Sequence, residues 1–291
     1  MPSQSRGQPA VTVLPPGLYI VSTPIGNLRD ITLRALDVLA AADEVLAEDT
    51  RVAAKLMSAY SLKPALSPYH DHNGATRRPD VLKKLQNGDV IALISDAGTP
   101  LISDPGWKLV HEALEAGIRV YPIPGASAML AGLVASGLPS DRFMFAGFLP
   151  SKTGARKTAA TALKSTPSTL IFYESGPRLA ASLSDLAEIL GEDRSAAVAR
   201  ELTKLFEETR RGTLQSLANH YAEHGAPKGE IVLLVGPPVD VQITPEALDD
   251  AIKDALTTLP TKAAANAVAE ALNLSKREVY QRALYLKSDA D

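Results

Sequence analysis

Leu93-Ile-Ser-Asp-Ala-Gly-Thr-Pro-Leu-Ile-Ser-Asp-Pro-Gly106 holds two near-copies of one pentapeptide, ISDAG and ISDPG. A true repeat would give both copies one structural role, and their contexts argue against that. The first copy closes the apolar run Asp89 to Ser95, which reads as a buried strand. The second precedes Leu109, Val110, Ala113 and Leu114 at helical spacing, so Asp104 followed by Pro105 reads as a cap with proline at the first helical position. Between them, Ala97-Gly98-Thr99-Pro100 is a glycine turn at a strand's carboxyl end, where open α/β sheets bind ligands. The stretch lacks the glycine spacings of dinucleotide and P-loop motifs, and it lacks the acidic spacing of a calcium loop.

Working outward, Gly17 to Pro24 reads as a buried strand, Ile31 to Ala42 as a helix, Glu44 to Glu48 as a strand and Arg51 to Ser61 as a helix. After a glycine stop at Gly117 come a strand from Ile118 to Ile123, a helix from Ser127 to Ser136 closed by Gly137, and a strand from Phe143 to Phe148. Continuous apolar strands alternating with helices predict an α/β fold with a largely parallel sheet covered on both faces. Gly26-Asn27 and Pro124-Gly125-Ala126-Ser127 are two more small-residue turns after strands. Three such turns converge on one crevice and bring few charges, which suits a ligand held by backbone groups rather than a polyphosphate.

Leu149 to Ala155 reads as a linker, after which the pattern restarts. Strands at Thr169 to Glu174, Ala196 to Leu202 and Glu230 to Val235 flank helices at Pro177 to Leu190 and Leu214 to His224. Glu207 to Gly212 looks like an edge or hairpin segment, which makes this second sheet mixed. Beyond Pro237-Pro238 the chain is helical, with helices expected from Thr244-Pro245, over Lys262 to Leu272 and over Ser275 to Leu286, the last two resembling a helix-turn-helix. The expected organisation is a flexible tail (1–16), an N-terminal α/β domain (17–149), a second α/β domain (150–238) and a C-terminal helical extension (239–291).

Composition sets limits on partners. A formal charge of −3 leaves no global basic field, so nucleic-acid contact needs local patches. The absence of cysteine excludes disulfides and thiolate metal sites and suits a reducing cytoplasm. The longest small and apolar stretch, Gly125 to Leu138, falls short of the roughly 18 residues of a membrane span, so no membrane association is expected.

STPIGNLRDITLRAL (Ser22–Leu36), AEDTR (Ala47–Arg51), DAGTPLISDPG (Asp96–Gly106), PGASA (Pro124–Ala128), GFLPSK (Gly147–Lys152), FYES (Phe172–Ser175), ARELTKLFEE (Ala199–Glu208) and KGEIVLLVG (Lys228–Gly236) occur in one order. Together they resemble the tetrapyrrole methylase superfamily, and within it the bacterial 16S rRNA (cytidine-2'-O)-methyltransferases. The resemblance implies two α/β domains with S-adenosylmethionine in the cleft between them, a homodimer, and 16S rRNA in the small ribosomal subunit as substrate. It places cofactor contacts at Ile25, Ala97, Gly98, Thr99, Ile102, Ser127 and Ala128, and in the second domain at Glu174, Leu202 and Gly229. Thr99 stands where tetrapyrrole-modifying relatives carry Asp, which argues against the alternative of a tetrapyrrole C-methyltransferase. Tyr173-Glu-Ser-Gly-Pro-Arg178 departs from the family's Tyr-Glu-Ser-Pro-His-Arg, so any role of that histidine has no bearer here.

A ribose 2'-hydroxyl is a poor nucleophile while protonated, so a base is expected beside it. Asp49 and His72 are the candidates, with Arg51 placed to hold a phosphate bidentately; Asp49 alternatively caps the helix that follows it. His70 and His72 lack a third ligand, and no metal is expected. RNA contact is expected from Lys152, Arg156 and Lys157, from Arg77 and Arg78, and from Lys276, Arg277 and Arg282 in the helical extension. A non-catalytic RNA-binding or ribosome-assembly factor is the alternative from another class, and it leaves the three-turn crevice without a purpose.

Overall fold

The structure is a computed structural model that describes residues 13–238, 245–272 and 274–288. It contains two compact units, one running to Pro238 and the other starting at Val239.

The first unit begins with a five-stranded sheet in the order β3-β2-β4-β1-β5. Its strands are β1 (Gly17–Val21), β2 (Glu44–Ala47), β3 (Leu66–Pro68), β4 (Val90–Ile94) and β5 (Val120–Ile123). All pairings are parallel, with Leu18 opposite Ile91 on one side and Val120 on the other. Helices cover both faces. Leu36 and Leu39 of α1 (Leu33–Ala41) and Leu56 and Met57 of α2 (Thr50–Ala59) fill one core with Val21, Val45 and Ala92. Val81 and Leu85 of α3 (Gly74–Gln86) and Leu109 and Ala113 of α4 (Trp107–Glu115) fill the other with Leu18, Leu46 and Ile91. Such strands read as continuous apolar runs because both of their faces are covered. The segment β3–α3 escaped the sequence reading, since α3 is largely polar and carries Pro79 inside it. Of the expected tail, residues 1–12 lie outside the described residues, while Leu14 packs on the first core and Pro15 accepts a hydrogen bond from the Tyr19 hydroxyl at 2.8 Å.

The second sheet has the order β6-β7-β10-β8-β9, from β6 (Phe143–Phe148), β7 (Thr169–Ser175), β8 (Ser195–Arg200), β9 (Glu208–Thr213) and β10 (Glu230–Val235). Only β6–β7 is parallel; β9 is an antiparallel edge strand on β8. α6 (Thr153–Leu163), α7 (Gly176–Leu190) and α8 (Leu214–His224) share one core with this sheet, built on Phe172, Leu183 and Leu217. Its opposite face receives α5 (Ala128–Ser136) through Leu133, Ile171 and Val232. Gly132 makes that contact possible, because a Cβ there would lie 3.0 Å from Val232.

The boundary expected at 149/150 is therefore corrected. β6 hydrogen-bonds into the second sheet, so the chain crosses over between α5 and β6. The expected linker is also shorter, because α6 already starts at Thr153.

The second unit comprises α9 (Pro245–Leu256), α10 (Thr261–Ala271) and α11 (Lys276–Ser288), with a core of Ile252, Ala265, Val268, Val279 and Ala283. Arg282 pairs with Asp249 through two bonds of 2.6 and 2.5 Å. The expected start at Thr244 and the turn residue Asn273 lie outside the described residues. No helix among the described residues is long and apolar enough to cross a membrane.

Arg156 is 3% exposed and bonds Asp185 at 2.5 and 2.7 Å across α6 and α7, with the carbonyls of Pro150 and Ser151 as further acceptors. Removing one partner of a buried pair strands the other charge. Arg156→Met is expected to lower stability by about 3 kcal/mol, read as a drop in the urea midpoint at unchanged m-value.

Candidate active site

The three strand-to-helix turns interlock at the carboxyl ends of β1, β4 and β5. Thr23 and Gly98 exchange two backbone hydrogen bonds, 2.8 and 3.1 Å, forming a small bridge between the first two turns. Gly98 holds φ +78°, a left-handed conformation natural to glycine. The Thr99 hydroxyl lies 3.0 Å from the Ser22 hydroxyl and donates to the Ala126 carbonyl at 3.3 Å, tying all three turns through one side chain. A Cβ on Gly125 would sit 2.8 Å from the Ser22 Cβ, so these turns close on each other only without one. Ser127 then caps α5.

Above these turns lies a cleft of about 260 Å³, walled on its far side by the second sheet. Ile25, Ala97, Gly98, Thr99, Ile102, Ser127, Ala128, Glu174 and Leu202 all line it. Gly229 does not. Its φ is +94° and a Cβ there would lie 2.0 Å from the Glu201 carboxylate, so it accommodates that side chain, and its neighbour Glu230 reaches the cleft instead. Glu174 contributes a wall rather than a free carboxylate. It is 3% exposed, and its oxygens accept from the Ser182 hydroxyl at 2.6 Å and the Ser175 amide at 2.9 Å, with Arg178 at 3.3 Å. Arg178, which keeps its place in the departed motif, thus buttresses Glu174 and also donates to the Leu149 carbonyl.

Sequence reasoning missed Phe148, Tyr173, Ile231 and Val232, which complete the apolar wall, although all four stand inside the motif runs. Tyr173 packs edge-on against Phe145 and Phe148 at 4.8 and 5.6 Å. It missed Asp104 as well. The helix begins at Trp107 with Gly106 (φ +126°) in the capping position, so Asp104 is not a cap but a cleft residue. A Cβ on Gly106 would meet Leu93 at 2.6 Å, so the chain passes this side chain closely just before the helix starts.

Acidic groups crowd the cleft mouth. Burial pushes the Asp104 carboxyl above its ordinary value, Asp96 adds to this, and the Ser95 hydroxyl opposes it. Glu48 is raised too, first by burial and then by Asp104, Asp96, Asp71 and Asp49.

The expected catalytic trio is not assembled as a base and its partners. Asp49 caps α2 by accepting from the Arg51 amide at 2.8 Å, and its carboxylate also holds the Arg51 guanidinium at 2.6 and 3.0 Å. These bonds lower its pKa to about 2, which makes it a poor proton acceptor. Of the two readings open for Asp49, the cap is the one the geometry favours. Arg51 spends its fork on Asp49. His72 is exposed, lies edge-on to His70 at 5.9 Å, and is outside the cleft lining.

Of the expected RNA contacts, Lys152, Lys276 and Arg277 are exposed. Arg156 is corrected: it is buried and neutralised by Asp185. Arg282 is held by Asp249, Arg77 by Glu44, Arg78 by Glu112 and Lys157 by Glu188.

Carboxyl NMR should find Asp49 titrating near 2 and, in Arg51→Ala, moving up toward 3.8. The pair's stabilisation is thus present above the ordinary carboxylate range and is lost as pH falls through about 2. An unmoved midpoint in the variant would refute the pairing.

Residues 17–218 match the family described as Tetrapyrrole (Corrin/Porphyrin) Methylases, and residues 242–287 match the RsmI C-terminal HTH domain. A Mesorhizobium japonicum protein named ribosomal RNA small subunit methyltransferase I is 54% identical over 274 residues, covering 94% of this chain and 93% of its own. Its namesake in Escherichia coli O157:H7 is 46% identical over 275 residues, with 92% and 94% covered. Among solved structures, a cobalt precorrin-4 methyltransferase of cobalamin biosynthesis superposes with a TM-score of 0.57 at 19% identity, over 75% of this chain and 94% of that one. A Thermus thermophilus uroporphyrin-III C-methyltransferase complexed with S-adenyl homocysteine does so at 0.53 and 20%, over 77% and 99%. At those identities the structural likeness is one of fold alone. The full-length similarity goes further: the chain belongs to the tetrapyrrole methylase family, in the group of the ribosomal RNA small subunit methyltransferase I proteins.

Proposed function

We propose that this protein is an S-adenosylmethionine-dependent ribosomal RNA methyltransferase that methylates the ribose 2'-hydroxyl of a cytidine in the decoding region of 16S rRNA. The observation that carries this reading is the three-turn cleft of a chain 54% identical to a protein named for small-subunit rRNA methylation. The cofactor fits the residues present. Ile25, Leu202, Ile231 and Val232 offer apolar walls to an adenine, Ser127 and the turn backbones offer polar contacts, and Asp96 complements a cationic ligand. When bound, it supplies a methyl group activated on a sulfonium.

The protein's contribution is then mainly positional. In-line displacement requires oxygen, carbon and sulfur to be held in a row, and such orientation can account for about 7–11 kcal/mol of the barrier. The interlocked turns provide rigidity on one side, and the Tyr173–Phe148 ring pair forms part of the wall on the other. Lys152, Lys276 and Arg277 remain the exposed cations for phosphate contact. Exposed apolar side chains on α5 and on the edge strand β6, among them Val134 at 80% and Met144 at 43%, support a homodimer. A cytoplasmic location follows from such a substrate.

The test is incubation of purified protein with labelled S-adenosylmethionine and small ribosomal subunits from cells lacking this gene. Label on a cytidine ribose oxygen is the expected result; no transfer to RNA from any assembly state overturns the reading. Gly98→Val forces a β-branched residue into a left-handed conformation, a genuine outlier that strains the turn. Its calorimetric affinity for S-adenosylmethionine is expected to fall at least about tenfold, equivalent to about 1.4 kcal/mol, while the circular dichroism spectrum stays unchanged.

A further inference from the structure

Most acidic groups around the cleft are already engaged. Asp49 is held by Arg51. Glu174 is held by Ser182, Ser175 and Arg178. Glu230 is paired with Lys204 at 3.3 Å. Asp96 accepts the Asp49 amide at 3.0 Å and lies within electrostatic reach of Arg51. Asp104 is different. It is half-buried, it lines the cleft, and among the described residues no cation pairs with it.

Its place is enforced from both sides along the chain. Leu101 and Ser103 hold φ of +73° and +65°, left-handed values that leave Ile102 and Asp104 on the cleft wall, and Gly106 seats the end of the loop against Leu93. Left-handed non-glycine residues cost free energy and persist where their surroundings impose them, commonly at functional sites. The groups facing Asp104 are Ser95 and Asp96 beyond β4, Glu48 at the end of β2, and Tyr173 across the cleft on β7. These neighbours do not make a metal centre: among the described residues no group of three or more His, Asp or Glu side chains is arranged to hold a metal ion.

We propose that Asp104 is the general base of the methyl transfer, accepting the proton of the ribose 2'-hydroxyl as that oxygen bonds to the methyl carbon. The proposal rests on the reading of the chain as a 2'-O-methyltransferase. The step balances without a further reactant. The oxygen–carbon bond forms, the carbon–sulfur bond breaks with its electron pair staying on sulfur, and the proton passes to a carboxylate oxygen and afterwards to water. The upward displacement of the Asp104 carboxyl brings a base closer to working pH, as effective proton acceptors require.

Asp104→Asn keeps the shape and removes the basicity. With small subunits as substrate, its single-turnover rate is expected to fall by about 100-fold or more, within the range for losing a general base. Affinity for S-adenosylmethionine by calorimetry should change by less than about threefold. In the wild type, the logarithm of the rate should climb with unit slope as pH rises to the Asp104 titration and then level off; the variant should lack that limb. Asp104→Ser provides the same comparison if the asparagine variant fails to fold. A variant rate within about threefold of wild type overturns the proposal, as does a rate loss matched by an equal loss of cofactor affinity, which makes Asp104 a ligand anchor instead. A wild-type enzyme that labels no ribose at all refutes the underlying 2'-O-methyltransferase reading, and that outcome is separate from either of these.

Discussion

The Thr99 hydroxyl is the tie on which the cleft depends. One side chain reaches both the turn after β1, through Ser22, and the turn after β5, through the Ala126 carbonyl, while the neighbouring Gly98 backbone closes a bridge with Thr23. The sheet order explains why these turns can meet at all. β1 lies between β4 and β5, so three consecutive carboxyl ends open at one edge of the crevice. Glycines at 98 and 125 let the backbones approach, and Thr99 supplies the polar link that glycine cannot. An aspartate at this position would set a carboxylate, which cannot donate, against the Ala126 carbonyl that accepts from the Thr99 hydroxyl.

Charge is sorted by location in this molecule. Asp96, Asp104, Glu174 and Glu230 line the cleft, and among the described residues no Lys or Arg does. Many remaining basic residues are structural. Arg156, Arg194 and Arg282 bond carboxylates or carbonyls within the fold, so counting cations along the chain overstates the surface offered to a phosphate backbone.

What could be read from the chain follows from how local each determinant is. The parallel strands were legible because burial on both faces makes them continuous apolar runs, and the turns because glycine and serine mark strand ends. α3 was not, since only Gly74, Val81 and Leu85 are buried in it and Pro79 argues against a helix. The boundary near 149 failed because an exposed, linker-like composition says nothing about which sheet β6 joins. Arg156 was misjudged because its partner Asp185 stands 29 residues away on another helix. Asp104 was misread as a cap because Asp-Pro is a local signal, whereas the close passage of Gly106 by Leu93 just before the helix is a tertiary contact. Nine of the ten residues implied by family resemblance do line the cleft, and Gly229 misses it by one position.

α5 belongs to both halves of the first unit. It is capped by a cleft residue, Ser127, yet its body lies on the second sheet, seated through Gly132 on Val232 and gripped at its far end by Arg211, which donates to the carbonyls of Ala135 and Ser136. The two sheets therefore cannot be separated into independently folding fragments by cutting the chain at their crossover. Severing it after α5 would leave an apolar helix without its floor, and severing before α5 would take away the cap that helps form the crevice. A swing of one half away from the other would have to break either the packing of α5 on the second sheet or the turn that presents Ser127 to the cleft.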